Sequence, residues 1–263
     1  MHPARIAELL EPFLRSANAQ ISRRPELDRP RHSEPGQRPG EEPAVLSTTQ
    51  LQSISTYVDI LLRWNARINL TAIRDPEDIV TRHFGESFFA ASHLFPRVSS
   101  VSPVSSVVKA FDLADDQRQT TNVRVADLGS GAGFPGLPIK LWVPHISLTL
   151  IESNHKKAAF LSEVTRTLTL TNVNIQNTRA ESLAPTTFDV VTLRAVERFA
   201  ATLPIAAALV APAGRLALLI GAPQHDDARS TLPHLTWQPP LPIPDSRSRI
   251  LLIAQAPARR PSV

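Results

Sequence analysis

A glycine-dense turn between an apolar segment and a proline-started helix constrains this chain more than any other feature. The segment reads VADLGSGAGFPGLPIKL over residues 125–141. Gly129, Gly131 and Gly133 carry no side chain that would hold a ligand away from the backbone, and glycine accepts the positive φ angles of a tight reversal. Pro135 suits the first turn of a helix, because its missing N–H is not needed there. We predict that the unpaired amides at this helix start form a site for a carboxylate or a phosphate.

An acid ends the next apolar segment. Glu152 closes the segment SLTLIE, about twenty residues after the first glycine, and a doubly wound sheet places an acid at this spacing against ribose hydroxyls. The spacing fits NAD, FAD and S-adenosylmethionine equally. The G-x-G-x-G turn favours the methyl donor, as does Asp127, because a carboxylate attracts the donor's cationic amino group and repels a pyrophosphate. The alternative role of Asp127 is to cap the following helix.

Apolar segments and helical patterns alternate through this region, which predicts an α/β fold with a mainly parallel sheet and right-handed crossovers. The predicted strands are 123–128, 147–152, 173–178, 188–193, 214–220 and 248–254, and the predicted helices are 135–143, 154–170, 199–211 and 223–230. Before this region, the pattern S-x-x-Q at Ser47 is typical of a capping box and predicts the start of an amphipathic helix.

Composition divides the chain into four segments. Residues 18–43 are dense in proline and in charges of both signs, which predicts a disordered linker after a short helix at 1–15 that Pro12 weakens. The predicted division is an N-terminal segment with this linker (1–46), a helical extension (47–96), a serine-rich connecting segment (97–122) and a Rossmann-like domain (123–263).

Charge and residue usage indicate a partner and a compartment. The 263 residues carry a net charge of +4, and arginine supplies nearly all of the positive charge, which suits RNA because a guanidinium forks onto phosphates and stacks on bases. A biased genomic base composition explains the same arginine excess equally well. Glu8 and Glu11 interrupt any signal-peptide core, and no apolar run approaches a membrane span, so we expect a cytoplasmic protein.

The residue types that the chain lacks exclude several kinds of metal site and reaction mechanism. With no cysteine, a thiolate zinc site, an iron–sulfur cluster and the thiolate nucleophile of pyrimidine C5 methylation are excluded. The eight histidines show no paired ligand spacing, so no metal is predicted. After the fourth predicted strand, TLRAVER stands where exocyclic-amine methyltransferases carry an Asp/Asn-Pro-Pro-aromatic turn. A ring nitrogen with a free lone pair, such as guanine N7, needs no general base, and its methylation depends mainly on orientation.

Six motifs together resemble the 16S ribosomal RNA guanine-N7 methyltransferases of the small-subunit methyltransferase G family, also called glucose-inhibited division protein B. They are LLRWNARINLTAI (61–73), RHFGES (82–87), ADLGSGAGFPGLP (126–138), IESNHKKAAFL (151–161), RAES (179–182) and FDVVTLRAV (188–196). The resemblance implies a class I S-adenosylmethionine-dependent methyltransferase: a Rossmann-like sheet with helices on both faces and an N-terminal helical extension. It also implies 16S ribosomal RNA, or a precursor of the small ribosomal subunit, as the partner. We expect the protein to be a monomer.

The resemblance also implies site residues. The family holds its donor with residues that match Gly129, Phe134, Ala180, Glu181 and Arg194. To these we add Gly131 from the turn and Glu152 from its spacing.

Four further residues match family positions that suit substrate binding or active-site architecture: Asn65, Asn69, Arg82 and His83. We predict Arg194, His83 and Asn69 as catalytic. Each of the four has a structural alternative, namely a cap or surface position for the two asparagines, an exposed ion pair for Arg82, and packing under Trp64 for His83. Arg194 is harder to explain structurally, because a charge at the carboxyl end of a strand points into the ligand crevice.

Three departures from the family pattern keep other functions open. The family commonly has Asp where Glu86 stands, Ser where Leu193 stands and Lys where Ile220 stands. The leading reading is transfer of a methyl group to N7 of a guanine in 16S ribosomal RNA. The rivals are another RNA or small-molecule methyltransferase on the same fold, a catalytically silent RNA-binding protein and a nicotinamide oxidoreductase.

Overall fold

One sheet runs through the part of the chain that the computed structural model describes, which is residues 1–21, 46–96, 123–195 and 198–258. Its strands are β1 (Arg124–Leu128), β2 (Ser147–Ile151), β3 (Val173–Gln176), β4 (Phe188–Arg194), β5 (Val210–Gly221), β6 (Thr236–Trp237), β7 (Leu241–Pro242) and β8 (Arg249–Gln255). The strand order is β3-β2-β1-β4-β5-β8-β6, with β7 also paired to β8. Strands β1 to β5 are parallel, and β8 runs antiparallel to β5.

Helices cover both faces of this sheet. They are α1 (Pro3–Ile21), α2 (Thr48–Asn65), α3 (Pro76–Asp78), α4 (Glu86–Leu94), α5 (Gly136–Trp142), α6 (His155–Thr167), α7 (Phe199–Leu209) and α8 (His225–Thr231). A π-helical turn, Ile79–Gly85, joins α3 to α4. The predicted fold class and the six predicted strands are confirmed, whereas β6 and β7 were not predicted because a two-residue strand has no detectable periodicity.

The alternation of side chains along each strand divides the core between the two faces. Val125 of β1 packs in one cluster with buried residues of α1, α2, α4, α5 and α6. The next residue, Ala126, packs in a second cluster with α7 and α8. The helices before residue 96 therefore share a core with the sheet instead of forming a core of their own.

Helix α2 begins as its sequence pattern predicts. The Ser47 hydroxyl accepts a hydrogen bond from the Gln50 amide, and the Gln50 side chain accepts one from the Ser47 amide, which completes the capping box. The buried side chains Ile54, Val58 and Leu61 face the shared core.

The prediction for the first forty residues was wrong in part. Helix α1 continues through Pro12 to Ile21, so the predicted linker does not begin at residue 18. The buried side chains Ile6, Leu10 and Phe13 pack in the shared core, which offsets the disruption that an interior proline causes. The Phe13 ring lies so close to Gly85 that a Cβ atom there would approach it to 2.6 Å. The remainder of the predicted linker and the connecting segment 97–122 lie outside the described residues.

Within the described ranges, no helix is both long and apolar enough to cross a membrane.

Candidate active site

The glycine turn after β1 adopts the backbone that its sequence predicts. Gly129, Gly131 and Gly133 have φ angles of 68°, 54° and 83°, which only glycine adopts freely. A Cβ atom on Gly133 would collide with the Tyr57 hydroxyl and with Leu137, whereas one on Gly131 would meet nothing closer than 3.7 Å. The turn is thus packed on the side of Gly133 and open above Gly131.

The Glu152 side chain lies directly against this turn. Its Oε2 accepts a hydrogen bond from the Gly131 amide at 2.9 Å, its Oε1 accepts one from the Asn154 amide at 2.7 Å, and the residue is 7% exposed. An ionised carboxylate has about four acceptor directions, so each oxygen retains one for a further donor. An open glycine turn beside a fixed carboxylate fits the ribose of S-adenosylmethionine.

We expect Glu152→Ala to weaken donor binding by roughly ten- to a hundredfold, because hydrogen bonds to a charged acceptor contribute about 1.5–3 kcal/mol. Titration calorimetry with S-adenosylmethionine measures the change. Glu152→Gln keeps one acceptor oxygen and should lose less affinity. A folded Glu152→Ala protein that binds the donor with wild-type affinity would remove this residue from the site.

Asp127 caps the helix that follows the turn. Its carboxylate is 1% exposed, accepts a hydrogen bond from the Gly136 amide at 3.2 Å and accepts another from the Thr192 hydroxyl at 2.8 Å. Burial raises the pKa of this carboxyl to about 6, although the hydrogen bonds from Thr192 and Gly136 oppose the rise. Of the two roles considered for Asp127, helix capping therefore describes its contacts, and the buried carboxylate is not presented to a ligand.

The predicted anion site at this helix start was wrong. The amides of the first turn are already bonded, that of Gly136 to Asp127, that of Leu137 to the carbonyl of Gly133 and that of Ile139 to the carbonyl of Pro135. Pro138 has no N–H. No amide in this turn remains to bind a phosphate.

Phe134 connects the glycine turn to the N-terminal helices. Its ring stacks on Tyr57 with a centroid distance of 5.3 Å and on His83 with a centroid distance of 4.8 Å, and the residue is 6% exposed. The Tyr57 hydroxyl donates a hydrogen bond of 2.5 Å to the carbonyl of Ala132. Burial raises the pKa of this hydroxyl, which keeps it protonated. The Phe134 ring is packed between Tyr57 and His83 and therefore fixes the turn.

Tyr57 is a structural contributor that the sequence analysis did not select. It is the single tyrosine of the chain and lies on the apolar face of α2, where a buried phenol requires an acceptor. That requirement was the available signal. The acceptor itself, 75 residues later in the chain, has no local signature.

Tyr57→Phe tests this contact. We expect the free energy of unfolding to fall by about 1–3 kcal/mol, because the buried Ala132 carbonyl loses its donor, and we expect donor affinity to fall with it. Chemical denaturation and calorimetry measure the two changes. Ser53→Ala on the same helix is a suitable control, since the Ser53 side chain is partly exposed and its hydroxyl donates, among the described residues, to the carbonyl of Thr49 alone. A Tyr57→Phe protein as stable as this control would show that the hydroxyl does not support the turn.

A buried ionic cluster lies at the carboxyl end of β4. The Arg194 guanidinium donates to Glu86 Oε2 at 3.0 and 3.2 Å, to His83 Nδ1 at 2.9 Å and to the carbonyl of Arg82 at 2.9 Å. The side chains of Arg194 and Glu86 are 10% and 4% exposed. His83 is stacked on Phe134 and not on Trp64, so the structure brings two of the three predicted catalytic residues together beside the glycine turn.

The contacts of His83 determine its protonation state. A guanidinium only donates, so Nδ1 is the acceptor and Nε2 carries the proton, which it donates to the Thr71 hydroxyl at 2.8 Å. Burial lowers the pKa of His83 to about 3, and the neighbouring charges of Arg194, Arg82 and Arg249 act in the same direction. His83 is neutral at physiological pH and has no free lone pair.

Arg249 joins this cluster from the start of β8, and the sequence analysis missed it. Its Nε lies 3.0 Å from Glu86 Oε2, and its terminal nitrogen donates to the carbonyl of Leu219 at 3.1 Å. One carboxylate thus faces two guanidinium groups. No local motif marks Arg249, because its position depends on the antiparallel pairing of β8 with β5.

The other predicted site residues lie outside this cluster. Asn65 is buried and closes the loop after α2 through hydrogen bonds with the amides of Leu70 and Thr71 and the carbonyl of Thr71. Asn69, in that loop, is exposed, and among the described residues no hydrogen bond joins it to His83 or Arg194. Ala180 and Glu181 begin the 3₁₀ turn after β3, with Ala180 buried and Glu181 exposed.

The Arg82 side chain is exposed and forms no ion pair with any described residue, which removes the surface ion pair as its explanation. In the same ranges, no group of three His, Cys, Asp or Glu side chains is arranged to hold a metal ion.

Three relatives of this chain carry the name of the family whose model it matches. Residues 50–106 and 104–238 match the family model described as rRNA small subunit methyltransferase G. A ribosomal RNA small subunit methyltransferase G from Xylella fastidiosa (strain 9a5c) is 36% identical over 179 residues, which are 68% of this chain and 72% of that protein. A protein of the same name from Xanthomonas axonopodis pv. citri is 35% identical over 65% of this chain and 69% of its own length. Another from Xanthomonas oryzae pv. oryzae is 32% identical over 72% of this chain and 77% of its own length.

Proposed function

The chain belongs to the rRNA small subunit methyltransferase G family, and we infer from this membership and from the site that it transfers a methyl group from S-adenosylmethionine to N7 of a guanine in 16S ribosomal RNA. The observation that carries the inference is the direct contact between the glycine turn and the buried ionic cluster. The Phe134 ring of the turn stacks on His83, which bonds to Arg194. One rigid unit therefore joins the proposed donor site at β1 to the end of β4.

The proposed donor site is formed by Gly129, Gly131, Phe134, Glu152, Ala180, Glu181 and Arg194. When bound, S-adenosylmethionine supplies an electrophilic methyl group on a sulfonium sulfur. Glu152 accepts from the ribose hydroxyls, and the bare backbone of Gly129 and Gly131 permits close approach. The Tyr57 hydroxyl and the Phe134 stack keep the turn in its bound geometry before the ligand arrives, which lowers the ordering cost of binding.

The ionic cluster performs no proton transfer in this proposal. Guanine N7 attacks with a lone pair and loses no proton, so no general base is required. The Nδ1 lone pair of His83 is already occupied by Arg194, and its low pKa keeps the ring neutral. Its role, with Arg194, is to hold the end of β4 rigidly beside the turn, because alignment of the attacking nitrogen supplies most of the rate enhancement.

Exposed arginines next to the cluster suit contact with RNA phosphates. Arg67, Arg74 and Arg82 are exposed and, within the described ranges, form no ion pair. Arg82 precedes His83 directly, and the loop that carries Arg67 is held by Asn65. Free guanidinium groups bind phosphate oxygens in a bidentate manner, and such binding weakens as salt rises. We propose further that the enzyme acts as a monomer in the cytoplasm, where its RNA substrate is made.

The site of methylation tests the proposed function. The purified protein is incubated with S-adenosylmethionine and either naked 16S ribosomal RNA or small ribosomal subunits from a strain that lacks the enzyme. Borohydride reduction followed by aniline should then cleave the RNA at one guanine, as expected for N7-methylguanine. RNA that gains a methyl group but resists this cleavage would contradict the N7 assignment.

A further inference from the structure

A cavity of about 290 Å³ lies at the carboxyl ends of β4 and β5, next to the ionic cluster. Its walls include Leu193 of β4, Ile220 of β5, Phe199 of α7, Gln224 and Arg249. Its volume is close to the lower end of the range for small-ligand pockets, which begins at about 300 Å³. Strand β4 also pairs in parallel with β1, so the cavity and the glycine turn that follows β1 lie at the same edge of the sheet, at the carboxyl ends of neighbouring strands.

The side-chain polar groups of this cavity are hydrogen-bond donors. Gln224 Oε1 accepts from the Gly221 amide at 3.0 Å, which fixes the orientation of the side-chain amide and leaves its NH₂ group without a partner among the described residues. Arg249 Nε is buried 3.0 Å from Glu86 Oε2, and one terminal nitrogen, Nη2, donates to the carbonyl of Leu219, which leaves the other, Nη1, without a partner among the described residues. Apart from these groups, Phe199, Leu193 and Ile220 offer an aromatic ring and aliphatic surface.

We propose that this cavity holds the target guanine after it leaves the base stack, with Gln224 and Arg249 donating to O6 and Phe199 against the face of the ring. The proposal rests on the proposed function and names its base pocket. Enzymes that act on one base read the extruded base through polar contacts at its edge and stacking on its face. The guanine O6 is a carbonyl acceptor with two lone pairs, whereas adenine carries an amine at the same position.

The same arrangement leaves the reactive nitrogen free. An arginine that forked onto both O6 and N7 would block the lone pair that attacks the methyl group. In the proposed pocket, Gln224 from the turn after β5 and Arg249 from β8 both donate to O6. They therefore recognise the base and leave N7 unoccupied. Two of the three departures from the family pattern, Leu193 and Ile220, lie in the cavity wall, and the third, Glu86, holds Arg249. The three positions therefore act on one pocket.

Gln224→Glu tests the pocket with little structural change. The carboxylate still accepts from the Gly221 amide, but an acceptor replaces the NH₂ donor and opposes O6. We expect single-turnover methyl transfer to 16S ribosomal RNA to fall roughly 10- to 100-fold, the range for losing one base-reading contact, while donor affinity and melting temperature remain within error. The matched control is Gln52→Glu on the exposed face of α2. If Gln224→Glu transfers methyl groups as fast as this control, the pocket assignment is overturned.

Photo-cross-linking tests which residues contact the base and does not depend on methyl transfer. Transcripts of 16S RNA that contain 6-thioguanosine are irradiated with the wild-type protein, and the cross-linked peptide is identified by mass spectrometry. Cross-links that map to the peptide around Phe199 or Gln224 support the proposal, and cross-links confined to other peptides refute it. A wild-type enzyme that makes no N7-methylguanine yet gives these cross-links would disprove the proposed reaction and retain the base pocket.

Discussion

Replacing Arg194 with lysine is expected to lower the rate of methyl transfer by roughly 100-fold, the effect of misplacing the reacting groups by about 1 Å. Lysine keeps the positive charge but loses the planar fork that reaches Glu86, His83 and the Arg82 carbonyl together. The end of β4 should then shift relative to the glycine turn. Single-turnover transfer of a radiolabelled methyl group to 16S ribosomal RNA measures the effect.

Arg194→Lys is also expected to affect folding. Arg194 is buried with Glu86, and a lysine ammonium cannot donate to Glu86, His83 and the Arg82 carbonyl at once, so at least one buried acceptor loses its donor at a cost of about 1–3 kcal/mol. The melting temperature should therefore fall as well, and rates are compared at a temperature where both proteins are folded. Arg124→Lys is the control, because Arg124 forms a half-exposed ion pair with Asp189, for which a small effect is typical. Equal rates for the two lysine variants would show that the fork plays no part in transfer.

Local sequence patterns were sufficient to predict the features at the ends of β1 and β2. The glycine turn, its positive φ angles and the acid at the end of β2 follow from residues within about twenty positions of one another. Such features depend on strand period, helix start and backbone freedom, which a sequence displays directly. The role of Asp127 was left between two alternatives, because burial decided it and burial depends on the packing of α5 and β4.

Contacts across long separations were not predictable in the same way. His83 and Arg194 are separated by 111 residues, and Tyr57 and Ala132 by 75. Periodicity shows which face of a helix is apolar but not which strand it will cover. The resemblance to a family selected His83 and Arg194 as site residues, while their bond to each other and the second arginine, Arg249, emerged only from the fold.

The stability of the protein is expected to depend on pH in opposite directions through two buried groups. His83 has a pKa of about 3 in the folded protein and about 6.5 when unfolded. As the pH falls from 6.5 towards 3, the unfolded chain binds a proton that the folded protein excludes, so this group lowers stability. Asp127 has a folded pKa of about 6, raised from 3.8. Between these values the folded protein binds the extra proton, so Asp127 raises stability as the pH falls.

His83→Gln separates the two contributions, because glutamine retains an acceptor for Arg194 and does not titrate. Between pH 7 and pH 4, the wild type should lose about 3 kcal/mol of unfolding free energy relative to this variant, since each unit of pKa difference corresponds to about 1.4 kcal/mol. The loss of the stack on Phe134 lowers the variant's stability by a constant amount and cancels from the pH dependence. Urea denaturation of both proteins at intervals of half a pH unit measures the difference. Parallel curves for the two proteins would show that His83 takes up a proton as readily in the folded state as in the unfolded chain, and would therefore contradict its burial as a neutral acceptor of the Arg194 hydrogen bond.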